Sequence, residues 1–403
     1  RCFMRFGSVF IIASLLRLLA VVRVGATERM PGAPIVCAYY TSWSIYPPRS
    51  YMPTDVPVEL LTHIYYAFAN VVNGIVAYGD PWADHEIMHG VTGDVDTTKT
   101  FAGNFELFNR DDSPIRTRNP DINVIISIGG WTFSKEFSIV ARSESSREKF
   151  AASVAEFVVE HGFDGVDIDW EFPVAGGHED NHRSPDDGVN FTKLLDAVRQ
   201  HLTRAQQMTQ RHRPFLLSVA TSAGRWSHQH LDLAGINRIC DHVNIMTYDA
   251  YGSWSDVTGH HAALFPFIDD AVKDYAQGGV ARSKIAIGIP FYGRSFSNVS
   301  RIEPGCPYKG IPQGTHESGV VDHDDLLANY DAAHGFQCHS DSRSCTPVYW
   351  NPTTGIWVTG ECSTSVQAKA RYAKTNGLAG VFCWEMSMDR TAALVRCIRD
   401  ELC

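Results

Sequence analysis

Residues 163–173 read FDGVDIDWEFP and place four carboxylates, Asp164, Asp167, Asp169 and Glu171, within eight residues. Val166, Ile168 and Trp170 alternate with the last three. A strand turns successive side chains to opposite faces, so Asp167, Asp169 and Glu171 share one face and the apolar three share the other. Acids two residues apart on a strand are about 6–7 Å apart along the backbone. Carboxylates so close in a partly desolvated space repel one another, and the set is expected to retain at least one proton at neutral pH. A carboxyl that keeps its proton is what general acid catalysis needs. The same spacing suggests a calcium loop, but counted from Asp167 the sixth position is Phe172 instead of Gly and the twelfth is His178 instead of Glu. No Lys or Arg lies between 163 and 173 to neutralise the acids. Burying that charge without a function would be costly, so a catalytic reading is preferred.

The elements that must carry this stretch recur along the chain. Strand-like runs begin at IVCAYY (35), THIYYAFAN (62), INVIISIGG (122), FDGVDIDWEF (163), FLLSVAT (215), HVNIMTYD (242), KIAIGIPFYG (284) and LAGVFCWE (378). Helical periodicity often separates them; before the fourth run, Phe150, Val154, Phe157 and Val158 follow a capping box from Ser145 to Glu148, and Gly162 closes the segment. Near-continuous apolar strands between helices predict a parallel sheet covered on both faces. Eight of them predict an α/β fold, a closed (β/α)8 TIM barrel, and no GxGxxG follows the first run to favour an open dinucleotide-binding sheet. Glu171 then stands at the C-terminal end of its strand, where barrel enzymes hold their chemistry, and is the expected proton donor. Over 80 residues separate Tyr292 from Leu378; roughly 297 to 361 is polar, rich in Gly, Pro and Cys, and includes strand-like VYW and IWV. The expected organisation is a barrel at 27–296 and 362–403, interrupted by a small α+β insertion domain at 297–361 between strands seven and eight.

The 403 residues are 44% hydrophobic and carry a formal net charge of -10. That balance argues against nucleic acid or an anionic membrane surface as partner and suits a neutral substrate. Residues 4–26 combine a basic start at Arg5, a short apolar stretch broken by Arg17, and Gly25-Ala26; residues 1–26 are therefore expected to be a signal peptide of a secreted, extracellular protein. Without Cys2, nine cysteines remain. Cys37, Cys240 and Cys383 lie in or beside apolar runs and are expected to be buried, whereas Cys306, Cys338, Cys345, Cys362, Cys397 and Cys403 are candidates for three disulfides. No CxxC spacing suggests zinc. Asn190-Phe191-Thr192 and Asn298-Val299-Ser300 are sequons.

The pattern D-x-x-D-x-D-x-E, met by Asp164, Asp167, Asp169 and Glu171, resembles the signature of the chitinases of glycoside hydrolase family 18. SIGGW (127–131), MTYD (246–249), GIPFYGR (288–294) and VFCWE (381–385) are similar to further signatures of that family, in order and at the predicted strand ends, so the resemblance covers residues 35 to about 395. It implies hydrolysis of β-1,4-linked N-acetylglucosamine polymers, chitin and chito-oligosaccharides, with retention of configuration and the substrate's 2-acetamido oxygen as nucleophile. It further implies that Glu171 protonates the leaving oxygen, that Asp169 orients the acetamido group, and that Asp167 exchanges a proton with Asp169. Tyr248 is implied to hydrogen-bond the acetamido group, Asp249 to contact the sugar and Trp384 to form the floor beneath it. Tyr39, Phe68, Trp131 and Arg294 match cleft positions, and Met246, Tyr292 and Asp164, carried by the same motifs, complete the substrate-binding candidates. Trp170, on the outward face, is expected in the core. No cofactor or metal is required by this chemistry.

Overall fold

The computed structural model describes residues 33–92 and 98–403. The signal-peptide expectation at 1–26, and Cys2 with it, lies outside the described residues. Eight parallel strands form the centre: β1 (Ile35–Thr41), β2 (His63–Val72), β3 (Asn123–Gly129), β4 (Gly165–Asp169), β5 (Leu216–Ser222), β6 (His242–Met246), β7 (Ile285–Pro290) and β8 (Gly380–Trp384). β1 pairs with β8 on one side and β2 on the other, which closes the ring into the predicted (β/α)8 barrel.

Period-two alternation divides the core into two layers. From β1, Ile35, Cys37 and Tyr39 point inward and pack with Tyr65, Ile125 and Phe382. Val36, Ala38 and Tyr40 point outward into the layer beneath the helices. β4 obeys the same rule: Val166 and Ile168 are fully buried on the outer side, and Trp170 stacks on Phe137 at 5.5 Å between ring centres. The helix Glu144–Glu160 covers this face. Its capping box opens two residues earlier than predicted, from Ser143 to Ser146, because Ser143 holds the extended backbone that lets its hydroxyl accept the Ser146 N–H. The helix ends before Gly162, whose φ of +71° turns the chain into β4.

Between β7 and β8 the chain builds a five-stranded antiparallel sheet, ordered Val320–Asp322, Tyr292–Phe296, Trp357–Thr359, Pro347–Trp350, Gln337–Ser340. Its first strand, Tyr292–Phe296, begins two residues after β7 ends. The sheet has an apolar cluster of its own around Phe296, Val348 and Trp357. Cys37, Cys240 and Cys383 are buried as expected. No disulfide joins the described cysteines: Cys306 is buried in the insertion with its thiol on the Glu303 carbonyl, while Cys397 lies on the C-terminal helix Ala393–Leu402. Of the two sequons, Asn190 is buried in the helix Asp187–Thr209, and Asn298 is exposed at a turn.

Candidate active site

The acids climb the inner face of β4. Asp167 is fully buried, in register with Ser127 of β3 and Ser218 of β5. Three hydroxyls donate to its carboxylate: Ser218 to Oδ1 at 2.7 Å, Ser127 and Tyr39 to Oδ2 at 2.8 and 2.9 Å. Burial pushes its pKa up, and the three donors oppose that rise. Asp169, 3% exposed, has no hydrogen-bond partner for Oδ1 among the described residues. Burial and the charges of Glu171 and Asp167 raise its pKa well above the carboxylate range. Glu171, half-buried just past the strand end, is pushed up to about 8 by burial and by the charge of Asp249.

Neighbouring loops fix Glu171 through its backbone. Its N–H donates to Ser134 Oγ at 2.9 Å, and Asn181 Nδ2 donates to its carbonyl at 2.7 Å. Ser134 in turn donates to the carbonyls of Gly130 and Asp169, so the SIGGW turn braces the acid ladder. Gly129 is required there: its φ is +114°, and a Cβ would fall 2.2 Å from the Asp169 carbonyl oxygen.

Across the barrel mouth, Asp249 receives Tyr292 Oη at 2.8 Å and a two-pronged Arg294, Nε at 2.8 Å and an NH2 nitrogen at 2.6 Å. Burial would raise its pKa, but Arg294 and His261 outweigh that and hold it well below the usual range. Asp249 therefore stays ionised and keeps pressing the Glu171 proton into place. Trp384 ends β8 and stacks on Phe68 at 5.7 Å, with Tyr39 tilted against it at 5.4 Å. Tyr248 and Met246 complete the floor, and Trp131 stands 53% exposed at the rim. The resulting cleft encloses about 1340 Å³. Among the described residues no group of three or more His, Cys, Asp or Glu is arranged to hold a metal ion.

The sequence profile described as Glycosyl hydrolases family 18 matches residues 35–389. The chain belongs to that family. Chitinase A1 of Niallia circulans is 33% identical over 428 residues, covering 94% of this chain; the chain spans only 60% of that protein's length. Endochitinase 1 of Metarhizium robertsii is 33% identical over 381 residues, covering 90% of this chain and 84% of the relative. Among solved structures, the catalytic domain of psychrophilic chitinase B from Arthrobacter TAD20 superposes with a TM-score of 0.82 at 26% identity, over 92% of this chain and 95% of that one.

Within this family 18 barrel, Glu171, Asp169, Tyr248, Asp249, Met246, Trp384, Trp131, Tyr39, Phe68, Tyr292 and Arg294 all line one cleft, with Asp167 directly beneath. Asp164 does not join them. It precedes β4 at the opposite end of the barrel, bound by Arg116 at 2.8 Å and Arg211 at 2.6 Å, so it is a structural anchor rather than a substrate contact. The sequence reading missed Ser127 and Ser218, although each is a hydroxyl interrupting an apolar run, and missed Ser134 and Asn181, which act through loop geometry that no spacing reveals. It also passed over Trp43, Trp226 and Trp254, all exposed in the cleft.

Proposed function

We propose that this chain is a secreted, endo-acting chitinase that cuts β-1,4-linked N-acetylglucosamine polymers with retention, using the substrate's 2-acetamido group as nucleophile. The observation that carries the reading is Glu171 itself: a carboxyl with its pKa near 8, opening into an aromatic-lined cleft from the top of a buried acid ladder. Such a group is protonated at neutral pH and can pass its proton to the glycosidic oxygen as the C1–O bond breaks. The acetamido oxygen then bonds to C1. Asp169, with an unpartnered oxygen in the buried ladder, receives the acetamido N–H and offsets the positive charge of the oxazolinium ring. Asp167, steadied by three hydroxyls, shares the proton that Asp169 gives up or regains. The Tyr248 hydroxyl donates to the acetamido oxygen. Water next loses a proton to Glu171 and attacks C1 from the face the leaving group left, breaking the C1 bond to the acetamido oxygen, so that both the acetamido group and the acid return to their starting state. Asp249 is engaged by Arg294 and Tyr292 and is therefore not offered for covalent attack. Secretion is supported by the pattern of residues 4–26 alone, and endo action by the endochitinase name of one relative.

The deciding experiment is product analysis on the N-acetylglucosamine hexamer. The wild type is expected to release shorter oligomers, first as β-anomers by NMR. Glu171→Gln is expected to lower kcat by at least about 10²-fold, the lower end of what general acid catalysis supplies. Unchanged turnover, or α-anomers in the first products, would overturn the mechanism.

A further inference from the structure

We propose that His261 is a positioning residue for Asp249, a donor held just short of the carboxylate that closes on it when a sugar enters the cleft; this deepens, and rests on, the chitinase reading above. His261 is fully buried in the segment after β6 and does not line the cleft itself. Its Nδ1 stands 3.6 Å from Asp249 Oδ1, just beyond hydrogen-bond length, and its ring tilts against that of Tyr292 at 5.3 Å between centres. Neither ring nitrogen has a hydrogen-bond partner among the described residues. Burying an imidazole with both nitrogens unused is costly, and such a group calls for a role. A neutral imidazole facing an ionised carboxylate carries its proton on the facing nitrogen, so Nδ1 is the donor. Hydrogen bonds that serve catalysis are often long in a free enzyme and shorten once substrate is bound.

The same residue also holds Asp249 through the backbone. Asp249 has a φ of +62°, uncommon for any residue but glycine, and the N–H that follows it, of Ala250, donates to the His261 carbonyl at 3.0 Å. The segment around His261 is in turn tied to the insertion: the Leu264 N–H donates to the Ser344 carbonyl at 2.7 Å, and the Cys306 N–H to Thr258 Oγ1 at 3.1 Å. His261 is thereby fixed where the inserted sheet grips the barrel loop. Arg294 and Tyr292 reach Asp249 from the strand Tyr292–Phe296, and His261 reaches it from a different segment. A carboxylate held from two segments keeps its aim when a sugar hydroxyl competes for one of its oxygens, and its charge is one of the two causes that keep the proton on Glu171.

The test is a double-mutant cycle on the N-acetylglucosamine hexamer. His261→Leu fills the space without a donor, and kcat/KM is expected to fall about fivefold, within the range of one hydrogen bond. His261→Asn, whose amide nitrogen can stand where Nδ1 stood, is expected to restore most of the loss. In an Asp249→Asn background, His261→Leu is expected to cost nothing more, because the group it acts through is gone. Equal losses in the two backgrounds, or an Asn variant no better than Leu, would make His261 a packing residue and overturn the proposal while the chitinase reading stands. NMR decides the matter even if His261→Leu does not fold. The ring N–H signal, identified by its loss in His261→Asn, is expected to move downfield when saturating hexamer is added to Glu171→Gln, and to stay in place when Asp249→Asn is also present. A signal that hexamer leaves unmoved in Glu171→Gln overturns the closure. If the wild type leaves the hexamer uncut, the chitinase reading falls and the role of His261 falls with it.

Discussion

The useful property of Glu171 is that two separate causes hold its proton. Burial disfavours the charged form, and Asp249, kept ionised by Arg294, repels it further. Raising pH through the Glu171 value removes the proton that must be donated, so kcat/KM is expected to fall above about pH 8. Asp249→Asn removes the repelling charge and leaves Arg294 unopposed; both changes favour the ionised glutamate, so the alkaline limb is expected to move to lower pH. A pH profile on the hexamer checks the direction, and a limb that stays in place would separate Asp249 from Glu171. At this scale much was readable from sequence. DIDWE assigns inward acids and an outward Trp170 by period two alone. What could not be read was solvation: whether Asp167 would be met by hydroxyls or by bare aliphatic groups depends on the register of β3 and β5 against β4.

Among the elements, the eight strands announced themselves because each is buried on both faces and nearly continuous in apolar residues. The short turns were harder. Ser145 and Glu148 satisfy the capping-box spacing, yet the helix starts at Glu144 because Ser143 is the residue with extended backbone. Asp164 was misplaced for a related reason: a motif groups residues by sequence, but the five residues of β4 put Asp164 at the far end of the barrel from Glu171. A further cap closes the fold at its C-terminal end. Buried Asp389 accepts the N–H groups of Ala393, Leu394 and Val395, the first turn of Ala393–Leu402. Asp389→Ala leaves those donors without a partner and is expected to cost about 2 kcal/mol in urea unfolding, the upper range for a lost cap. A cost near zero would mean that water replaces the carboxylate.

For the whole molecule, the question is what keeps the insertion against the barrel. Arg49, from the loop after β1, bonds Asp322 of the insertion at 2.9 Å and approaches Glu385, just past β8, at 3.3 Å. Its side chain is 10% exposed, and the two acids are 8% and 1% exposed. Burial raises the pKa of both, and Arg49 opposes the rise. Arg49→Ala would strand two buried carboxylates, a change expected to cost about 3 kcal/mol, with the denaturant midpoint falling accordingly. An unchanged midpoint would show that the wall is held by its other contacts, among them the Thr258 N–H on the Cys306 carbonyl and the Leu264 N–H on the Ser344 carbonyl. The extent of that wall was visible in sequence as a polar, Cys-rich interval, but its sheet begins at Tyr292, inside a run that reads as one strand with β7. The pairing of Arg294 with Thr359 puts the outgoing and returning strands of the insertion side by side. The chain therefore leaves and re-enters at one place, and a cassette exchanged beyond Phe296 must also meet Arg49 and the Thr258 and Leu264 N–H groups that now bond Asp322, Cys306 and Ser344. A transplant cut there, keeping Tyr292 and Arg294 on the host side, would give the barrel a new rim without disturbing the partners of Asp249.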